Sequence, residues 1–185
     1  MKSFREIIQN GGVGVMRTDT LYGLVCDAHN PHAVERIYRI KQRDLLKPVL
    51  ILVANLEQIA SFDITLTPTM KKHLDQYWPG KVSIILPAND TSVNTHYIHK
   101  GTGGIAFRIP DDAELRNLLL EVGPLIAPSA NPEGQPPART IAEAMDYFGD
   151  HVDYYMDGGD ITDTRPSKII RITATLDIDV IREYL

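Results

Sequence analysis

PLIAPSANP, which is Pro124–Pro132, is the stretch of sequence that decides the fold we expect. Its apolar part, Leu125–Ala127, predicts a short buried strand, and a loop that carries a hydroxyl and an amide between two prolines follows at once. In open α/β sheets, ligands bind beyond the carboxyl ends of such strands. Proline fixes φ, so the loop is stiff and presents Ser129 and Asn131 in a set geometry. The alternative is an ordinary turn, because serine, asparagine and proline are also turn residues.

Apolar runs alternate with amphipathic runs on both sides of this stretch, which is typical of layered α and β structure. With 185 residues, 43% of them hydrophobic, the chain can bury a proper core. We predict a single domain, residues 1–185, of the α/β class (α+β type), with a twisted mixed β-sheet and helices on its faces. The predicted strands are Val13–Met16, Val49–Val53, Val82–Leu86, Ile105–Ile109, Leu125–Ala127, Lys168–Ile172 and Val180–Arg182. The predicted helices are Phe4–Gln9, Pro31–Arg43, a short one capped by Asn55 that ends at Ala60, Pro68–Tyr77, one opened by Asp111 or Asp112, and one after the capping-box pattern of Thr140 and Glu143.

Composition limits the function classes that remain. A formal net charge of -5 argues against a general nucleic-acid coat, so any polyanion would need a local cluster of lysine and arginine. The single cysteine, Cys26, excludes an intramolecular disulfide, and the first residues offer no apolar stretch suited to export. No apolar run approaches the roughly 20 residues that span a bilayer. We therefore expect a cytoplasmic protein that does not enter a membrane.

A second polar motif, Lys41-Gln42-Arg43, ends the helix that begins at Pro31. Lys41 continues the apolar face of that helix, because apolar residues stand three, four and seven positions before it. A charge on that face needs a partner, unless the lysine only extends past the core to water. Arg43 has an equally plain alternative, since arginines in a last helical turn complement the helix dipole. Lys47 and Arg108 also stand near element ends, and four convergent cations would make a phosphate site.

The sequence lacks several motifs that mark well-known nucleotide-binding, nucleophilic and metal sites. It has neither the G-x-x-x-x-G-K-[ST] phosphate loop nor G-x-G-x-x-G, so nucleotide binding would need another scaffold. Ser129 does not stand in a G-x-S-x-G nucleophile elbow, and the six histidines lack metal-ligand clustering. A Mg²⁺ ion that bridges ligand phosphates would still be compatible, because it needs few protein carboxylates.

Six short motifs together resemble the YrdC-like threonylcarbamoyl-AMP synthases. The matches occur in the family's order and extend from about residue 13 to residue 182. Either K-x-R or S-x-N alone is uninformative, whereas both inside this arrangement are specific. The matching motifs are RTDTLYGL at 17–24, KQR at 41–43, KP at 47–48, WPG at 78–80, RIP at 108–110 and PSAN at 128–131.

The resemblance implies an activity and its substrates. Enzymes of this family condense L-threonine, bicarbonate or CO₂, and ATP into threonylcarbamoyl-adenylate with release of pyrophosphate. Their product serves the N6-threonylcarbamoyladenosine modification of tRNA, so the implied partners are the proteins that transfer the threonylcarbamoyl group to tRNA. Such a reaction depends on positioning and cationic stabilisation more than on a protein nucleophile. ATP with Mg²⁺ held mainly by its phosphates is the implied cosubstrate.

The resemblance also implies residue roles by position. The catalytic tetrad would be Lys41, Arg43, Ser129 and Asn131. ATP binding would use that tetrad together with Lys47 and Arg182, and L-threonine would be held by Thr20, Arg108 and Ser167.

Some positions depart from the family pattern and leave alternatives open. Asp44 replaces the proline that usually follows K-x-R, and residues 167–171 read SKIIR where the family has S-T-V-[VI]-D. Residues 182–184 read REY where R-x-G is usual. The alternatives are an RNA-binding module of the same fold, which would hold tRNA or double-stranded RNA, and a paralogue with a different carbamoyl-adenylate chemistry or none. The segment from Asp90 to Gly104 is rich in threonine, asparagine and glycine, so we also predict a mobile flap there.

Overall fold

Within the part of the chain that the structure describes, a mixed sheet of nine strands forms the frame of the protein. The structure is a computed structural model, and it describes residues 2–44, 47–88 and 94–183. Along the sheet the strand order is β7-β1-β2-β6-β3-β5-β4-β8-β9. The strands are β1 Gly14–Arg17, β2 Tyr22–Asp27, β3 Leu50–Leu52, β4 Val82–Pro87, β5 Gly104–Arg108, β6 Leu125–Ile126, β7 Tyr154–Met156, β8 Lys168–Ile172 and β9 Ile178–Arg182.

Pairing across the centre of the sheet mixes parallel and antiparallel strands. The strand β5 runs parallel to β3 and antiparallel to β4, and β4 runs parallel to β8. The short β6 is antiparallel to both β2 and β3, so the PLIAPSANP stretch lies between these two strands. An isolated bridge between Gly23 and Ser129 continues this contact beyond the end of β6. The loop after β6 is therefore fixed against β2.

In the described ranges six α-helices cover the sheet, and polar caps explain where several of them begin. Ser3 and Glu6 form a capping box at the first helix, and the Asn30 side chain accepts hydrogen bonds from the backbone amides of His32 and Ala33 at the second. Asp112 and Thr140 cap the fifth and sixth. The α-helices are α1 Phe4–Gln9, α2 Pro31–Lys41, α3 Pro68–Leu74, α4 His96–His99, α5 Ala113–Val122 and α6 Ile141–Phe148, and 3₁₀ segments occur at Glu57–Phe62 and Gly149–His151.

Among the described residues, two clusters of buried apolar side chains lie against the sheet. The larger one holds the buried apolar residues of α2, α3 and α6 and includes Phe62 and Phe107, whose rings are in contact. The smaller one joins Phe4 and Ile8 of α1 to Leu119 of α5 and to the sheet. Apolar burial of this kind is the dominant stabilising contribution, at roughly 25 cal/mol per Å². The clusters fix the helices on the sheet, so the predicted fold class is confirmed.

The differences from the prediction concern individual elements. The sequence analysis missed β2 and β7 altogether. The short helix predicted to run from Asn55 to Ala60 is a 3₁₀ segment, Glu57–Phe62, although the Asn55 side chain does accept a hydrogen bond from the Gln58 amide. The helix predicted to reach Arg43 ends at Lys41, because Gln42 adopts a left-handed conformation with φ of 53°.

The segment from Asp90 to Gly104, predicted to be a mobile flap, divides into two parts. Residues 90–93 lie outside the described residues. The remainder contains α4, whose Ile98 and His99 side chains are buried. Mobility of this segment stays a prediction. None of the helices in the described ranges has the length and apolar character needed to cross a bilayer.

Candidate active site

A cavity of about 650 Å³ lies on one face of the sheet, where β4, β5 and β8 present alternate side chains to it. The loop after β6, the segment before β2 and the C-terminal hairpin of β8 and β9 form its walls. Four arginines line it, and the described lining residues include no carboxylate. A cavity of this size suits a ligand of nucleotide dimensions. The arginines are Arg43, Arg108, Arg171 and Arg182.

Lys41 lies directly behind the cavity wall and does not extend past the core. It is only 3% exposed, and its Nζ donates to the carbonyl oxygens of Ser129 (2.7 Å) and Asn131 (2.8 Å) and to the Asn131 Oδ1 (2.8 Å). Burial, and then the positive charge of Arg43, lower the pKa of Lys41 to about 8. The helix α2 thus ends in a buried cation that holds the loop after β6.

Ser129 and Asn131 have different positions in that loop. Ser129 lines the cavity, and its hydroxyl donates to Asn131 Oδ1 at 2.7 Å. Asn131 is buried, and its amide nitrogen donates to the carbonyl oxygens of Pro132 (3.0 Å) and Gln135 (2.6 Å). Each polar atom of the Asn131 side chain is therefore used within the protein. Asn131 fixes the loop, and Ser129 faces the ligand space.

Arg43 and Lys47 were predicted as neighbouring phosphate ligands, and the structure separates them. Arg43 lines the cavity; one of its Nη atoms donates to the Pro48 carbonyl at 2.9 Å, and its buried Nε has no hydrogen-bond partner in the described structure. Lys47 forms an ion pair with Glu133 and is not among the lining residues. Asp44 is exposed, and its backbone amide donates to the same Glu133 carboxylate.

Arg108 sits at the end of β5, where it meets the polar segment before β2. Its Nη2 donates to Asp19 Oδ1 at 2.8 Å and to the Thr20 hydroxyl at 3.2 Å. Both members of the Arg108 and Asp19 ion pair have side chains only 3% exposed. Burial raises the pKa of Asp19, against the opposing effect of the Arg108 charge. Asp19 thus orients the guanidinium from behind, and Thr20 and Arg108 face the cavity together.

Ser167 and Arg182 meet at the C-terminal hairpin. Arg182 donates to the Ser167 carbonyl from Nε (3.1 Å) and Nη2 (2.7 Å), and the Ser167 hydroxyl lies 2.8 Å from that of Ser83. Burial, and then the charge of Arg108, lower the pKa of Arg182. Segment 167–171, which departs from the expected motif, therefore still places Ser167 on the cavity. Arg182, at the end of β9, lines the same cavity.

The predicted site residues fall into two groups. Those that line the cavity are Thr20, Arg43, Arg108, Ser129, Ser167 and Arg182, whereas Lys41, Lys47 and Asn131 are not among the lining residues. Sequence reasoning missed Asp19 and Ser83, which support Arg108 and Ser167. A signal for Ser83 was present, because it is a hydroxyl inside the apolar run of a predicted strand. For Asp19 the only such signal in the sequence was its position between Thr18 and Thr20.

Mg²⁺ finds few protein ligands at this cavity. Among the described residues there is no group of three histidine, cysteine or acidic side chains that could hold a metal. The cavity offers hydroxyls from Thr20, Ser129 and Ser167. These residues fit an ion that arrives with a nucleotide and is held by phosphate oxygens and water.

The fold and the cavity define an α/β protein with an arginine-lined cavity, whose charge complements that of an anionic small molecule. The chain belongs to the Sua5/YciO/YrdC family, since the model of that family, which is described as telomere recombination, matches residues 6–183. Over 169 residues the chain is 34% identical to a threonylcarbamoyl-AMP synthase of Marinobacter nauticus, with 91% of this chain and 88% of the relative covered.

Solved structures of Sua5 from P. abyssi are similar over nearly the whole chain. One, a double alanine variant, superposes with a TM-score of 0.87 at 25% identity over 98% of this chain. Another, described as a complex with L-threonine, superposes with a TM-score of 0.80 at 26% identity over 90% of this chain. The chain spans only about half of that protein, 55% and 49% of the two solved chains.

Proposed function

We propose that this protein is a threonylcarbamoyl-AMP synthase. It condenses L-threonine, bicarbonate or CO₂, and ATP into threonylcarbamoyl-adenylate and releases pyrophosphate. The name of the Marinobacter nauticus relative supports this activity, and the L-threonine complex of P. abyssi Sua5 supports the amino-acid substrate.

The observation that carries the proposal is the charge of the cavity. Four arginines and no carboxylate line it in the described part of the chain. ATP and the threonine carboxylate are both anions, so they complement this lining, and guanidinium groups bind phosphate and carboxylate oxygens in a bidentate manner.

The ATP phosphates are proposed to lie against the loop after β6 and the end of α2. Arg43 and Ser129 would contact them, since both face the cavity. Lys41 Nζ lies 3.4 Å from the Ser129 hydroxyl, on the side away from the cavity. Its positive charge would therefore act on the phosphates across the Ser129 side chain. Asn131 would hold Lys41 and Ser129 in place, and Lys47 would contribute at the rim through its exposed ammonium group.

L-Threonine is proposed to bind at the other end of the cavity. Arg108 would hold the carboxylate, because Asp19 fixes its guanidinium and leaves it facing the cavity beside Thr20. The Ser167 hydroxyl would contact the same substrate. Arg182, whose Nη2 lies 3.4 Å from that hydroxyl, would stand between the threonine and the nucleotide.

The reaction then needs mainly alignment and charge stabilisation. The threonine amine, deprotonated to solvent, adds to CO₂ and releases a second proton to give a carbamate. A carbamate oxygen then attacks the α-phosphorus, and the bond from that phosphorus to the oxygen that bridges to the β-phosphate breaks, which frees pyrophosphate. Negative charge grows on the departing pyrophosphate, where Arg43 and Lys41 would stabilise it. Preorganised cations of this kind typically contribute about 10²-fold or more to a rate.

Three further assignments follow from the proposed activity. Mg²⁺ would enter with ATP, held mainly by its phosphates. The adenylate product would pass to proteins that transfer the threonylcarbamoyl group to tRNA, so tRNA is the final acceptor. A tRNA-modifying reaction fits a cytoplasmic enzyme.

The test is pyrophosphate release from ATP, with threonine and bicarbonate omitted in turn from CO₂-stripped buffer. We expect the signal to vanish in each omission. In the complete mixture, Arg43→Ala should lose about 10²-fold or more in rate, whereas Arg39→Ala, on the exposed side of α2, should stay near wild type.

Two outcomes would contradict the proposal. Pyrophosphate release that does not depend on threonine would indicate a different carbamoyl-adenylate chemistry. Strong, salt-dependent RNA binding without threonine-dependent release would favour the RNA-binding module.

A further inference from the structure

A row of cavity residues crosses four strands at the nucleotide end of the site. Leu50 of β3 pairs with Ala106 of β5, Ala106 pairs with Ile85 of β4, and Ile85 pairs with Arg171 of β8. All four side chains line the cavity. Neighbouring strands lie about 4.8 Å apart, so the row spans roughly 14 Å.

The two ends of this row carry arginines. Arg43 donates to the Pro48 carbonyl, two residues before Leu50, so it lies at the β3 end. Arg171 occupies the β8 end itself. Along β8 it lies two residues, about 7 Å, beyond Ile169, which pairs with Ser83, the hydrogen-bond partner of Ser167 at the proposed threonine end. The two arginines therefore belong to opposite ends of the row.

Arg171 differs from the other lining arginines in its contacts. Arg43, Arg108 and Arg182 each donate to oxygens of the protein. Arg171 has an exposed side chain with no hydrogen-bond or ion-pair partner in the described ranges. Asp179, its opposite residue in the β8 and β9 register, forms no ion pair with it. An unengaged guanidinium on a cavity wall is available to a ligand anion.

We propose that Arg171 is a further substrate-binding residue, which binds the triphosphate of ATP from the side opposite Arg43. The inference rests on the proposed function. The bidentate geometry of a guanidinium suits phosphate oxygens, and lysine would replace it only as a point charge.

The experiment measures ATP binding at equilibrium, by calorimetry and without threonine, for wild type, Arg171→Gln and Arg171→Lys. The control is Arg5→Gln, which removes the same charge from an exposed position on α1 outside the cavity lining. We expect the Kd for ATP to rise about tenfold in Arg171→Gln, less in Arg171→Lys, and under twofold in the control. The salt dependence of ATP binding should also weaken in Arg171→Gln, because one phosphate contact is lost. Far-UV circular dichroism and thermal melting check that each variant is folded.

Steady-state kinetics separates this inference from the proposed function. In Arg171→Gln the KM for ATP should rise while the KM for threonine stays within twofold. Wild-type Kd for ATP in Arg171→Gln, or an equal loss in Arg5→Gln, would overturn the inference and leave the proposed function standing. A wild-type protein that binds ATP with the expected Arg171 dependence, yet releases no pyrophosphate with threonine, would overturn only the proposed function. A wild-type protein that binds no ATP would overturn both.

Discussion

At the scale of single residues, Lys41 couples the charge of the site to pH. Its pKa of about 8 lies below that of an unfolded lysine, so the unfolded chain binds more protons between about pH 8 and pH 10. The free energy of unfolding therefore receives a contribution that rises with pH across this window. The same deprotonation removes the cation that is proposed to act on the phosphates.

We accordingly expect kcat/KM for ATP to fall above pH 8, by up to about tenfold per pH unit. The measurement is a pH profile of pyrophosphate release, because kcat/KM reports groups of the free enzyme. Lys41→Arg keeps its charge throughout this range, so any activity it retains should not decline there. A wild-type profile that stays flat from pH 7 to pH 10 would contradict this role of Lys41.

The buried pair of Asp19 and Arg108 leads to a second prediction. Asp19→Asn removes the Asp19 charge from beside the desolvated Arg108 guanidinium, so the free energy of unfolding should fall by about 3 kcal/mol. Arg108 should also lose its orientation, which raises the KM for threonine more than the KM for ATP. Urea unfolding and initial rates measure the two effects.

Asp111→Asn is the matched control for this change. Asp111 is 77% exposed and lies 3.9 Å from Arg116, so its loss should cost less than about 1 kcal/mol. An equal loss in the free energy of unfolding for the two substitutions would show that the buried ion pair stabilises the protein no more than the exposed one does.

At the scale of elements, the start of α2 depends on one side chain. Asn30 Oδ1 accepts from the amides of His32 and Ala33, both at 3.1 Å. Asn30→Ala should therefore lower the free energy of unfolding by about 1 kcal/mol. Asn30→Ser restores an acceptor and should recover most of that loss in the same urea titration. Failure of the serine variant to recover stability would indicate that the cap is not the cause.

Elements with strong local signals could be predicted, and those fixed by distant contacts could not. The cap of α2 and the apolar runs of β4 and β5 are local, and their predicted positions agree with the structure to within about two residues. The strand β7 has three half-buried residues and owes its existence to parallel pairing with β1, about 140 positions away in the sequence. The strand β2 follows a polar segment, which hid its beginning at Tyr22.

The candidate site shows the same division. Helical periodicity placed Lys41 on the apolar face of α2 but left open whether its side chain extends to water, and the structure shows that it is buried. The sequence did not predict that Lys47 lies apart from the cavity, because its ion-pair partner Glu133 is 86 residues away in the sequence. Asp19 was missed as the partner of Arg108 for the same reason, with 89 residues between them. Contacts between loops depend on the assembled sheet, which no short pattern encodes.

At the scale of the whole molecule, the cavity joins segments from nearly the full length of the chain. Thr20 precedes β2, Arg43 follows α2, Ser129 follows β6 and Arg182 ends β9. A ligand bound there contacts elements that only the folded chain brings together, so binding stabilises the native state alone. For a ligand at 100 times its Kd, this stabilisation is about 2.7 kcal/mol.

Thermal melting should report this linkage directly. For a domain of this size, each kcal/mol shifts Tm by about 2 to 4 °C, so saturating ATP should raise Tm by roughly 5 to 10 °C. L-Threonine alone should give a smaller shift that Arg108→Gln abolishes, because the carboxylate then lacks its cation. Arg43→Ala should lose the ATP shift and keep the threonine shift if the two ends of the cavity bind separate substrates. Loss of both shifts in Arg43→Ala, with an unchanged Tm of the free protein, would instead show that Arg43 also takes part in binding threonine.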